Sequence, residues 1–146
     1  MNRNRRLPGF VIYEDGGYDL PLAKESVGQG WHGILERLFA AKPEWTKVVQ
    51  VKEKFGGLRF YLDDGTVRVD FIGLGSITVP AEQEHFDQDR ATQLTAFKKL
   101  VHEAEAESFS TCEDCGAPGK LRSGGWIRTL CEPCHSKRRA ARNERA

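Results

Sequence analysis

Long apolar runs are missing from this chain of 146 residues. Nothing approaches the roughly 18 consecutive apolar residues that a membrane-crossing helix needs, so no such helix is expected. The opening MNRNRRLPGF is basic but has no apolar stretch behind it, which predicts neither a secretory signal nor a transit peptide, and a cytoplasmic site by default. A strong net charge is also missing: the balance is +1, which argues against the whole molecule acting as a polyanion sponge. There is no internal repeat and no low-complexity segment. No nucleophile, base and orienting group stand together, no glycine loop precedes a helix to cradle phosphate, and no paired carboxylates stand at a catalytic spacing outside polar linkers. An enzyme is not expected. Cysteine is absent from the first 111 residues, and all four cysteines fall between 112 and 134.

What is present suits a soluble chain with one α+β core: 39% hydrophobic and 29% charged residues. GFVIYE reads as a short strand that ends in Asp15-Gly16-Gly17, and YDLPLAKESVGQG reads as irregular. In WHGILERLFAAK, Trp31, Leu35, Leu38 and Phe39 recur at helical spacing, and Pro43 stops the helix near Lys42. Period two then takes over. Val49 and Val51, then Leu58, Phe60 and Leu62, then Val67, Val69 and Phe71 alternate with polar neighbours, which predicts half-buried strands of an antiparallel β-meander. Asp64-Gly65 signals a hairpin, Gly56-Gly57 a turn or a glycine bulge, and SITVP a further strand closed by Pro80. A helix follows over ATQLTAFKKLVHEAEAES, capped by Asp87 or Asp89, with Leu94, Phe97, Leu100, Val101 and Ala104 on the face turned to the sheet. The expected fold is an antiparallel meander with two packed helices and a C-terminal zinc ribbon. The expected division is an α+β core over 1–108, the ribbon over 109–136 and a basic tail over 137–146.

Cys112 and Cys115 form one CxxC pair and Cys131 and Cys134 another. A two-residue gap lets both thiolates turn onto one ion about 2.3 Å away, and Gly116 stands where the turn must relax. The spacing predicts structural Zn²⁺ held by Cys112, Cys115, Cys131 and Cys134, with the coordination sphere closed to water. His135 could replace Cys134 as a ligand, donate to it, or simply face solvent. His32, His85 and His102 have no ligand spacing.

Further candidates lie on two surfaces. Lys52, Glu53, Lys54, Arg59 and Tyr61 belong to a polar strand face where aromatics alternate with basic groups, a pattern that suits single-stranded nucleic acid. The same pattern also fits a plain solvated face with Phe55 and Phe60 in the core. Trp126 either packs the ribbon on the helix or stands out as an anchor. Lys137, Arg138, Arg139, Arg142 and Arg145 make the chain's end basic, which suits polyanions or a solvated face.

Three resemblances bear on function. LCEPCHSK is similar to the tail of HNH endonucleases, but no histidine, aspartate or glutamate lies between Cys115 and Cys131 to supply a base or a catalytic ligand. CEDCGAPGKLR resembles the zinc finger of the DksA type of RNA-polymerase-binding regulators, over that knuckle alone. GWHGILERL, VVQVKEKFGGLRFYL, HEAEAESFSTCEDCGAPG and GGWIRTLC together resemble a family of small, largely uncharacterised bacterial and phage-borne proteins, from Trp31 to Cys134. In that family a histidine often stands where this chain has Cys134, and the stretch 66–90 is extra. The resemblance implies the fold and the metal, not a chemistry. The expectation is therefore a non-enzymatic zinc-binding protein for a protein or nucleoprotein partner, with a phage-encoded inhibitor of a defence or transcription complex as its narrowest form. The alternatives are a nucleic-acid binder using the basic tail and a degenerate HNH-like nuclease.

Overall fold

The structure, a computed structural model, describes residues 6–7, 10–11, 17–63, 66–71, 73–80 and 88–145. Among these the class is α+β. Two short strands, β1 (Arg6–Leu7) and β2 (Phe10–Val11), pair antiparallel. Helix α1 (Leu20–Glu25) follows, where the sequence reads as irregular. Pro21 stands in its first turn, where a missing N–H costs nothing, and the Asp19 carboxylate caps the Leu22 N–H at 2.9 Å. A 3₁₀ turn, Gln29–Trp31, leads into α2 (His32–Ala41), which ends before Pro43 as expected. The His32 ring is 2.8 Å from the Lys24 carbonyl and ties the two helices together.

Strands β3 (Lys47–Lys54) and β4 (Gly57–Asp63) form the central hairpin. The ladder slips between Val48 and Gln50, so Val49 is the extra residue of a β-bulge. Val48 and Val51 are therefore buried, and Val49 is exposed instead of sharing a face with Val51. The expected meander is not continuous. Among the described residues β3 pairs with no named strand but β4, although Gly17 bridges to Val48 in parallel, and β5 (Thr66–Phe71) pairs with no named strand but β6 (Gly75–Pro80). The Asp64-Gly65 turn lies outside the described residues, as do Asp15-Gly16, His85 and Asp87. Asp89 is in the first turn of the next helix and not at its cap.

Helix α3 (Gln88–Ser108) buries Phe97, Val101 and Ala104 against β4 and α2, while Leu100 points outward. Trp31, Leu35, Leu38, Val48, Val51, Leu58, Phe60 and Phe97 form the centre of the core. Phe39, Phe60 and Phe97 meet edge to face at centroid distances of 5.7 and 6.2 Å. Beyond α3 a small hairpin, β7 (Lys120–Arg122) with β8 (Arg128–Leu130), lies between the cysteine pairs. Lys137 to Glu144, most of the expected basic tail, belong to helix α4 (Glu132–Glu144), which starts inside the second cysteine pair. Among the described residues no helix is long and apolar enough to cross a membrane.

Candidate metal centre and the arginine cleft beside it

The four cysteines converge from two segments. Cys112 and Cys115 sit on the turn after α3; Gly116, at φ +82°, closes that turn with its N–H on the Cys112 carbonyl at 2.9 Å. Cys131 is the N-cap of α4 and Cys134 is in its first turn. All four ligand atoms lie within 4.8 Å of one another, and the Cys115 and Cys131 sulfurs are 3.6 Å apart. Four bonds of about 2.3 Å to one tetrahedral ion would set the sulfurs about 3.8 Å apart, so the set fits a single ion. The four thiols are thus positioned to hold a metal. Crowding sets two of their acidities apart. Burial pushes the Cys112 thiol up, but the backbone N–H groups of Cys131, Cys115 and Asp114 bring it down to about 7. Beside it, the Cys131 sulfur first, then burial and the remaining thiols, push Cys134 up to about 12. A thiolate set so crowded ionises together only around a positive ion. His135 is outside the cluster, and among the described residues no other group of three histidine, cysteine or carboxylate ligands converges.

The metal segment is closely joined to the core. The Gly30 N–H donates to the Glu113 carbonyl at 2.9 Å, and the buried Trp31 indole donates to the Thr111 carbonyl at 2.8 Å. A Cβ on Gly30 would lie 1.9 Å from the Cys112 carbonyl oxygen, so only glycine allows this approach. From the other side the Thr129 hydroxyl donates to the Gly56 carbonyl at 2.6 Å and locks the tip of the β3–β4 hairpin onto β8. Glu113, almost wholly buried, is bound to Arg128; burial nevertheless raises its pKa, outweighing the arginine. Asp114 takes a two-pronged contact from Arg138, Nε at 2.6 Å and Nη2 at 2.5 Å, which holds its carboxyl below the usual range. That fork ties the first cysteine pair to the middle of α4.

Beside α4 lies a cleft of about 730 Å³, walled by the β7–β8 hairpin and the helix. Arg122, Arg128, Arg138, Arg139, Arg142 and Arg145 line it with Trp126 and His135, and no carboxylate does. Arg122 is paired with Glu132 at 2.9 Å, Arg128 with Glu113 and Arg138 with Asp114. Among the described residues Arg139, Arg142 and Arg145 have no carboxylate partner. The backbone at Gly124 and Gly125, φ +106° and +125°, passes so close to Arg142 that a Cβ on Gly125 would be 3.3 Å from its guanidinium.

The expected binding residues therefore divide. Trp126, Arg138, Arg139 and Arg142 share this cleft, and Trp126 is exposed instead of packing on the helix. Lys137 lies in a neighbouring cleft with Cys115 and Cys134. Arg59 and Tyr61 are elsewhere. Arg59 is 3.7 Å from Glu105 and stacks over Phe109 at 6.0 Å; Tyr61 is half covered and sits under Lys52. Phe60 is in the core but Phe55 is not: it is 64% exposed. It stands with Gly56 in a two-residue turn at φ +53° and +80°, closed by the Lys54–Gly57 pair. Both angles are what the tight turn of a twisted hairpin requires, but a bulky side chain in that region costs about 1–2 kcal/mol. The run FGG between two alternating strands is the sequence signal for this loop. Arg122 and Arg128 had none, because only folding brings them opposite α4. Comparison with protein-family models, curated proteins and solved structures returns no match.

Proposed function

We propose that this is a non-enzymatic zinc-binding protein that binds nucleic acid, alone or within a nucleoprotein complex, on the arginine face of α4. The observation that carries the reading is the cleft itself: Arg139, Arg142 and Arg145 face it without carboxylate partners, beside three further arginines and an exposed tryptophan. Guanidinium groups suit phosphate, and an aromatic at the edge suits a base. Zinc is the metal that four thiolates at this spacing select. Four sulfurs leave no position for water, so its role is to hold α4 in place: Cys131 and Cys134 fix the start of the helix, and Asp114 grips Arg138 one turn further on.

Fluorescence anisotropy with labelled oligonucleotides across a salt series tests this. Affinity should fall steeply with salt, and Arg139→Ala with Arg142→Ala should lower the slope of log affinity against log salt by about one for each phosphate that is no longer neutralised. A slope near zero, or one that the double variant leaves unchanged, overturns the reading.

A protein partner is the second reading, favoured by exposed Phe55, Leu121 and Trp126 around the hairpin tip. No described residue carries the narrower form, a phage-borne inhibitor, which rests on the resemblance alone. The nuclease form has little support: the carboxylate near His135, Glu132, is engaged by Arg122, and among the described residues no ligand cluster includes His135.

A further inference from the structure

Trp126 belongs to two hollows at once. One is the arginine cleft. The other, of about 300 Å³, is walled by Phe55, Trp126, Ile127 and Gly125, with Glu53 and Lys54 completing it. That volume is at the small end for a ligand site. Its two rings are among the most exposed of the described residues, Phe55 at 64% and Trp126 at 72%. The core accounts for neither. The Phe55 ring is carried on a left-handed backbone that asparagine or glycine would adopt more readily, and strain of this kind, kept at an exposed position, points to use. The Lys54 ammonium, 5.5 Å over the Phe55 ring, adds positive charge to the same place.

We propose that this smaller cleft is a base clamp: it takes one unpaired nucleobase of a single-stranded nucleic acid between Phe55 and Trp126, while neighbouring phosphates lie against Arg139, Arg142 and Arg145. The inference rests on the nucleic-acid reading above and narrows it to single strands. A nucleotide alternates a flat, largely apolar base with an anionic phosphate, and here an aromatic hollow adjoins a cationic one with a tryptophan common to both. Rings stack on any base, so the clamp is tolerant of sequence. A duplex hides its base faces and cannot fill it. An apolar peptide side chain would fit the aromatic hollow, but it has no use for three unpaired arginines.

The test uses the full-length, zinc-loaded protein and three probes of equal length: a thymidine single strand, the same strand with abasic sites throughout, and a duplex. The thymidine strand should bind about tenfold or more tighter than the abasic one, as stacking of one base implies, and should quench Trp126 in a Trp45→Phe background. Phe55→Asn, which relaxes the turn and so does not threaten folding, and Trp126→Ala at an exposed position should each remove most of that ratio while leaving abasic affinity and salt slope in place. Equal binding of thymidine and abasic strands, or a ratio that Phe55→Asn leaves intact, overturns the clamp; steep salt dependence in that case leaves the arginine reading standing. No binding of any probe overturns both and leaves the aromatic hollow to a protein side chain.

Discussion

At Phe55 the backbone adopts a conformation that ordinarily belongs to glycine or asparagine. Its side chain gains little from burial, since most of it faces solvent, so the turn carries its cost without return in stability. Phe55→Asn should therefore raise the unfolding free energy by about 1 kcal/mol in a urea titration, because asparagine tolerates the left-handed region, even as the ring needed for stacking is removed. A fall of similar size would instead mean that the ring packs on the neighbouring loop and contributes to the fold. Gly30 shows the reverse logic: its missing Cβ is what lets the Cys112 carbonyl approach. Neither role is legible from composition. Phe55 reads as a core residue because it precedes an apolar strand, and only the φ angle of the turn places it outside.

Among the elements, one hydroxyl bridges α3 and β4 beside their apolar packing and the Arg59–Glu105 pair. Ser108, fully buried, accepts from the Leu58 N–H at 2.9 Å and donates to the Glu105 carbonyl at 2.5 Å. Ser108→Ala would leave the Leu58 N–H buried without a partner and should cost about 1–3 kcal/mol, read as a lower urea midpoint at unchanged slope. A value within a few tenths of wild type would show that water or a shifted carbonyl replaces the hydroxyl. The elements with a strong period were legible: α2 and α3 by their apolar stripes, and β3 and β4 by alternation on either side of Gly56-Gly57. The cysteine cluster was legible as well, because CxxC pairs constrain geometry locally. Three features were not. Helix α1 was hidden by Pro21, which reads as a breaker but stands in a first turn capped by Asp19. The single alternation across Val49 failed because a bulge moves the buried position to Val48. Helix α4 was masked by its charge, although Glu132 and Pro133 in the first turn are a sound helix start. The arginine cleft depends on that helix lying opposite β7–β8, a long-range fact that no local pattern contains.

For the whole molecule the question is whether the metal segment and the core fold as one. The hydrogen bonds between them favour one unit: Gly30 on Glu113, Trp31 on Thr111 and Thr129 on Gly56 join the two through backbone groups that would part if either side opened. The metal's binding energy would then stabilise the entire chain, since ligand geometry exists only in the folded state. Ligation requires four thiolates, so it depresses the thiol pKa values of the loaded state below their unfolded value of about 8.5. A depressed folded pKa contributes stability that is present above the unfolded value and is lost as pH falls through the folded one. Zinc-dependent stability should accordingly be greatest in mild alkali and decline continuously toward acid. In a variant whose sole tryptophan is Trp31, made by Trp45→Phe and Trp126→Phe, a strong chelator at neutral pH should lower Tm by about 10 °C or more, as a loss of about 3 kcal/mol implies for a chain of this size. Its fluorescence should follow the same single transition as the backbone circular dichroism. Two transitions, with Trp31 unmoved by the chelator, would show a core that stands without its metal, and α4 would then be an arm on a hinge instead of a surface fixed to the sheet.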